Sequence, residues 1–263
     1  MAALLRASLP SGQLFISASS DSPADGPFAG LSGKPLGAFK IDGSPLKMAR
    51  TRNARLTKLG SIEKNMVHYR NLSQRQTPKF MVIACADSRV CPSDVLGFRP
   101  GEAFTVRNVA NLVPPFQHGA SETSAALEFA VNSLEVPCIL IIGHSRCGGI
   151  QALMRMKVGS DSRSFIKDWV SIGKGARLST EAAAGSLSFD MQCRHCERES
   201  INGSLLNLLT YPWIEKRVRE GTLSLHGGYY DFVNCTFEKW TLVYREGMED
   251  GSKYDIKEHS LWS

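Results

Sequence analysis

Met81-Val82-Ile83-Ala84-Cys85-Ala86-Asp87-Ser88-Arg89 is the stretch on which the architecture of this chain turns. A short apolar run containing β-branched residues reads as a buried strand. This one stops abruptly on a thiol, a carboxylate and a guanidinium. Open α/β sheets place ligands beyond the carboxyl ends of their strands, so the end of this strand reads as a site. Cys85, Asp87 and Arg89 fall at every second residue, and an extended chain points all three to one side.

A second stretch repeats the form. Cys138-Ile139-Leu140-Ile141-Ile142 is another buried strand, running into Gly143-His144-Ser145-Arg146-Cys147-Gly148-Gly149. If the two strands are parallel neighbours, Cys85, His144 and Cys147 converge at one sheet edge. The 58 residues between Cys85 and His144 leave room for a crossover with its helix. Zinc takes thiolate and imidazole ligands, and catalytic zinc sites keep three protein ligands and one open position. His-x-x-Cys alone is a weak pattern. Joined to the Cys-x-Asp-x-Arg strand end and the glycine pair, it becomes a specific one. The bland alternative makes Cys85 a core thiol and His144 a satisfied loop histidine.

The 263 residues allow one large α/β domain or two small ones, and 43% hydrophobic content is ordinary for a globular chain. No apolar run is long enough for a membrane span. Seven cysteines in a chain this long do not make a disulfide scaffold, which leaves some free to bind metal. The net charge of +6 is concentrated early: residues 1–55 hold seven basic and three acidic residues. The rest is nearly neutral, which argues against a nucleic-acid face.

Taken in order, residues 1–20 contain one arginine, five serines and no acid, the composition of an organelle transit peptide. A plain tail is the alternative. Residues 21–48 are rich in Gly, Pro and Ser and read as a linker. The remainder, 49–263, reads as one domain: a helical arm over 49–75, a core over 76–244 and a loose, charged tail over 245–263 whose Leu261-Trp262 is able to dock. Strands are expected at 80–84, 103–107, 138–142 and 239–244. Helices are expected near 122–134 (capped by Ser121), 150–157, 163–173, 194–208 and 212–220. Thr222–His226 and Tyr229–Val233 flank Gly227-Gly228, which signals a hairpin or tight turn.

Other reactive residues have competing readings. Cys193-x-x-Cys196 is a redox pair or half of a structural zinc site, or else ordinary packing near a helix start. No second Cys-x-x-Cys completes a four-cysteine site. Cys91, Cys138 and Cys235 are expected in the core. His226 reads as structural, and His118, in a Pro/Gly loop, as a candidate proton shuttle.

Ala84-Cys85-Ala86-Asp87-Ser88-Arg89-Val90 and Gly143–Gly149 resemble the two signatures of the β-class carbonic anhydrases. The flanks agree: Pro100–Phe104, Arg107-Asn108-Val109-Ala110-Asn111 and Gly227–Phe232. The resemblance runs from about 66 to 244 and is strongest to plant members. It implies an α/β fold with a four-stranded parallel sheet core, a C-terminal fifth strand and flanking helices. It implies zinc on Cys85, His144 and Cys147, with Asp87 and Arg89 as a dyad. By matching position, Gln76 reaches the substrate pocket, and Phe104, Val109, Phe129 and Gly148 line it, partly from a partner subunit. Phe129 departs from the tyrosine of some plant members. A second departure is upstream, where the family's longer helical arm is replaced by Gly/Pro-rich, basic sequence. The resemblance further implies a homodimer or higher even oligomer with active sites at the dimer interface, and a chloroplast location, with mitochondrion or cytoplasm as alternatives.

The chemistry suits these residues. Hydration of carbon dioxide to bicarbonate needs hydroxide near neutral pH. Zinc lowers the pKa of a water it binds to about 7 in the three-histidine carbonic anhydrases, a different ligand set. Two thiolates cancel the metal's charge, so weaker acidification and activity rising above neutral pH are expected here. Asp87 is placed to orient the attacking oxygen, and Arg89 to keep Asp87 ionised and away from the open metal position. Gln76 can donate to a bicarbonate oxygen, and Phe104, Val109 and Phe129 offer carbon dioxide an apolar wall. Two alternatives stand beside this expectation: a thiol–disulfide oxidoreductase working through Cys193 and Cys196, and a homologue that binds zinc without turnover.

Overall fold

The computed structural model describes residues 66–156, 164–244 and 254–262. The expected transit peptide, the linker and the first part of the helical arm lie outside the described residues. The described part of the arm is helix α1, Met66–Leu72.

Among the described residues six strands form one sheet: β1 Phe80–Cys85, β2 Ala103–Asn108, β3 Cys138–His144, β4 Ser224–Asp231, β5 Thr236–Tyr244 and β6 Tyr254–Trp262. Their order is β2-β1-β3-β4-β5-β6. The first four are mutually parallel, and β5 and β6 add antiparallel to the β4 edge. The expected four-stranded parallel core is therefore present, with the C-terminal strand beside it.

Both faces of the central strands are covered, which explains why β1 and β3 read as continuous apolar runs rather than alternating ones. Met81, Ile83, Ile139 and Ile141 point to one face, with Leu127, Ile201, Leu205 and Tyr229. Val82, Ala84, Leu140 and Ile142 point to the other, under Leu96, Phe98 and Phe237. All the β1 and β3 members except Leu140 are wholly inaccessible, and burying each of the larger ones (Ala84 aside) contributes about 1.5–3 kcal/mol.

The helices are α2 Pro92–Leu96, α3 Glu122–Glu128, α4 Gly148–Met154, α5 Phe165–Val170, α6 Lys174–Ala184, α7 Phe189–Leu208 and α8 Pro212–Arg219. Ser121 caps α3 as expected, accepting from the Ser124 N–H while the Ser124 hydroxyl accepts from the Ser121 N–H. The helix expected to run to 134 instead loosens into a π turn over Phe129–Ser133.

Three expectations are corrected. Gly227-Gly228 is no turn: both glycines lie inside one continuous strand, β4. A Cβ on Gly227 would run into the Trp240 indole, and one on Gly228 into the Phe237 ring, so the glycines make room for aromatic residues of β5. Gly227→Ala is accordingly expected to cost about 1–3 kcal/mol through overpacking, read as a lowered melting temperature. The last part of the tail expected to be loose is strand β6. Its Tyr254 and Ile256 pack partly buried on the main core, and its Trp262 ring lies 6.1 Å from Phe237. The charges alternating with them masked the strand. Finally, Cys91 and Cys235 are exposed and Cys138 only partly buried, so none of the three is a full core residue. His226 matches its structural assignment, with ring nitrogens 2.9 Å from the Thr241 hydroxyl and 3.0 Å from the Ser224 hydroxyl.

Candidate metal centre

The parallel neighbours β1 and β3 carry the site. Their register pairs Ala84 with Ile142, so both strands end at the same level of the sheet. Cys85 closes β1 and His144 closes β3. Cys147 follows one turn later as the residue capping α4. That turn needs Arg146 at a φ of 57°, a left-handed conformation. It also needs Gly149, where a Cβ would stand 2.8 Å from a Val109 methyl.

The donor atoms of Cys85, His144 and Cys147 all lie within 4.8 Å of one another, and all three residues are buried. The two sulfurs are 3.9 Å apart. Two thiolates bound tetrahedrally at about 2.3 Å each would stand about 3.8 Å apart, so the spacing suits one zinc ion. His144 Nδ1 lies 3.0 Å from the Ser145 carbonyl oxygen. A carbonyl only accepts, so Nδ1 carries the proton and Nε2 keeps the lone pair. That Nε2 is buried and has no hydrogen-bond partner. A buried lone pair left unpaired is costly, and a cation at the point where the three donors meet removes the cost. Soft thiolates with an imidazole are a zinc donor set.

The electrostatics agree. The two thiols share one proton. The hydrogen bond between them draws the Cys85 thiol down, and the same contact, with burial, pushes the Cys147 thiol up. Burial pushes the His144 imidazole down, but Cys85 and the Ser145 carbonyl outweigh it and the net shift is upward. The cluster attracts positive charge, as a proton or as a metal.

Asp87 lies beside the cluster, its Oδ2 3.8 Å from His144 Nε2. Arg89 grips it in a fork: Nε donates to Oδ1 at 2.9 Å and Nη2 to Oδ2 at 2.6 Å, while the Arg89 N–H also reaches Oδ1. Arg89 holds the Asp87 carboxyl well below the usual carboxylate range. The dyad does not arise from strand alternation, because β1 stops at Cys85. A turn closed by the Val90 N–H on the Asp87 carbonyl folds Arg89 back instead. Arg89 Nη2 also donates to the Arg146 carbonyl at 3.0 Å, tying the two halves of the site, and its guanidinium lies 5.0 Å from the Phe232 ring.

The other expected residues lie on β2, in the segments before β1 and after β2, at the end of α3 and at the start of α4. Gln76 is exposed in the segment before β1. The Phe104 and Phe129 rings pack 5.8 Å apart, with Phe129 46% exposed. Val109 is 37% exposed and lies against Gly149, next to Gly148, which has open space where a side chain would start. His118 sits in a short turn and is exposed.

Two further groups are assigned no role from the sequence. Glu197, 3% exposed on α7, accepts from the Cys147 N–H at 3.0 Å and from the Tyr229 hydroxyl at 2.8 Å. Burial pushes its carboxyl up. Arg107, on β2, reaches the backbone of the Cys85 turn. Neither contact is visible locally, since the partners are 50 and 17–22 residues away. Cys193 and Cys196 are buried within α7, and burial pushes their thiols up to about 11 and about 12. Thiols so raised are poor nucleophiles, which disfavours the redox alternative.

Known proteins place the chain. The model of the carbonic anhydrase family matches residues 80–237. Beta carbonic anhydrase 5, chloroplastic, of Arabidopsis thaliana is 65% identical over 199 residues, which is 74% of this chain. Beta carbonic anhydrase 6, mitochondrial, of the same plant is 52% identical over 198 residues, again 74% of this chain. The matched stretch spans 66% and 67% of these relatives, so the chain covers about two thirds of their length. Among solved structures, a tetrameric beta-carbonic anhydrase of the ascomycete Sordaria macrospora superposes with a TM-score of 0.62 at 25% identity, covering 72% of this chain and 93% of that one. Fold, family match and relatives agree: this chain belongs to the β class of the carbonic anhydrase family.

Proposed function

We propose that the protein interconverts carbon dioxide and bicarbonate, with zinc held by Cys85, His144 and Cys147. The observation that carries this reading is the convergence of two thiols and an unpartnered imidazole nitrogen beside an aspartate locked by an arginine. A zinc ion held there supplies Lewis acidity and acidifies water, less strongly than at a three-imidazole site because two thiolates cancel its charge.

The chain's own residues do the rest. Asp87 Oδ2 lies 3.8 Å from His144 Nε2, beside the donor cluster. It accepts a hydrogen bond from the attacking oxygen and so turns a lone pair of that oxygen toward the carbon of carbon dioxide. Arg89 keeps Asp87 charged and aimed, which would also keep it from binding a metal held by Cys85, His144 and Cys147. Gln76 donates to a bicarbonate oxygen. Phe104, Val109, Phe129 and Gly148 form the apolar side of the pocket, where a nonpolar gas needs no hydrogen bonds. The exposure of Phe129 and Val109 supports a homodimer in which a second subunit covers them and completes the pocket. A higher even oligomer is consistent with the tetrameric ascomycete relative. The chloroplastic and mitochondrial relatives support an organellar location, with the chloroplast favoured by the higher identity. Among the described residues no helix is long and apolar enough to cross a membrane.

The test is stopped-flow carbon dioxide hydration against pH, with zinc measured on the same sample. About one zinc per chain is expected, with a rate that is low near pH about 6 and rises toward pH about 9. Asp87 stays ionised across that range because Arg89 depresses its carboxyl, so the rise is not its titration. Inactivity at full zinc occupancy would point to the non-catalytic homologue instead.

A further inference from the structure

Arg107 is the penultimate residue of β2, paired in register with Ala84, the penultimate residue of β1. Its guanidinium donates to three backbone carbonyls of the neighbouring turn: Nε to Cys85 at 3.0 Å, and Nη2 to Asp87 at 2.7 Å and to Val90 at 2.6 Å. Those carbonyls span the whole segment from the thiol donor through the dyad. Strand pairing adds one bond there, from the Ala86 N–H to the Asn108 carbonyl at 2.8 Å. The turn adds its own bond from the Val90 N–H to the Asp87 carbonyl at 3.1 Å. Asp87 is therefore gripped at both ends, its carboxylate by Arg89 and its carbonyl by Arg107.

We propose that Arg107 is a positioning residue for carbon dioxide hydration, a role resting on the function proposed above: by clamping the Cys85, Asp87 and Val90 carbonyls, it fixes the Asp87 carboxylate relative to the Cys85 thiolate. The planar fork is what makes the clamp possible. A guanidinium presents donors at fixed angles to several acceptors at once, whereas an ammonium is a single point charge on a flexible stem. Arg107 touches neither substrate nor metal in this scheme. It acts through the backbone, holding a carboxylate that works only at a defined distance from the reacting atoms.

The test compares Arg107→Lys with the wild-type holoenzyme. Zinc content and near-ultraviolet circular dichroism are expected to stay at wild-type levels. Hydration kcat is expected to fall about tenfold to a hundredfold, the scale of an ångström-sized misplacement, with KM within about twofold. The visible spectrum of the cobalt(II)-substituted protein, which reports metal geometry without turnover, is expected to shift. Arg107→Gln serves as the second variant and is expected to lose at least as much. Unchanged kcat and an unchanged cobalt spectrum would overturn the proposal. So would a loss that only tracks the folded fraction, or failure of both variants to fold, since either makes Arg107 purely structural. If the zinc-loaded wild type itself does not hydrate carbon dioxide, the assigned function fails, while the cobalt spectra of wild type and Arg107→Lys still decide the clamp.

Discussion

Cys85→Ala is expected to leave a folded protein that holds no zinc and hydrates carbon dioxide at least about four orders of magnitude more slowly than wild type. Three donors converge within 4.8 Å, and removing one leaves a thiol and an imidazole that fall short of the three protein ligands of a catalytic zinc site. Cys85 and Cys147 are coupled and share the cluster's negative charge, so losing Cys85 removes one of only two thiolate donors. The fold should survive. Cys85 packs in a small cluster with Ala110, Leu112 and Ile150, and a methyl group in place of a thiol leaves only a small gap, costing about 1–2 kcal/mol. Metal analysis, near-ultraviolet circular dichroism and stopped-flow hydration on one preparation check all three statements. Wild-type turnover in zinc-free Cys85→Ala would refute the metal assignment outright.

Asp87→Asn should separate orientation from metal binding. The variant is expected to keep about one zinc per chain and to lose about a hundredfold to a thousandfold in kcat. Asparagine fills the same space, but one carboxylate oxygen becomes an amide donor. The group that faces His144 Nε2 at 3.8 Å can then present a donor where an acceptor is needed. The fork from Arg89 is broken as well, since an amide cannot accept on both sides. Arg89→Ala should lower kcat comparably by a different route, releasing an intact carboxylate to swing toward the metal position. The pair also leaves a trace in stability. Arg89 depresses the Asp87 carboxyl below its unfolded value of about 3.9. Its stabilisation is therefore fully present above that pH and fades as pH falls toward the depressed value. Melting of Arg89→Ala should consequently differ from wild type more at pH 7 than in strong acid.

Much of this was legible in the chain because the signals are local. The β1 and β3 runs are buried on both faces, so their composition alone announced central strands. Both ligand-bearing segments sit directly at strand ends, where backbone geometry leaves side chains little choice. The metal set needed only one further assumption, that β1 and β3 are parallel neighbours, and the register bears that out.

What the chain alone misrepresented depended on partners distant in sequence. Gly227-Gly228 has the form of a turn, and only the rings of Trp240 and Phe237 on the next strand explain two glycines in mid-strand. The Cys85–Asp87–Arg89 alternation grouped three residues that the structure does bring together, but for an incomplete reason. The strand ends at Cys85, and a turn rather than pleating brings Arg89 onto Asp87. The burial of Cys193 and Cys196 follows from packing in the cluster that also holds Cys85 and Cys147, which no spacing rule reports.

The stretch from Met81 to Arg89 therefore determined by itself that a strand ends in a thiol, a carboxylate and a guanidinium, because hydrophobic pattern and residue chemistry act over a few neighbours. Tertiary structure alone decided how those groups are held. Arg107 reaches them from β2 and Arg89 ties them to the Arg146 carbonyl, while Glu197 holds the Cys147 N–H on the far side of the site. Hydrogen bonds of this kind depend on positions to within a fraction of an ångström, and only the packed sheet and helices set such positions.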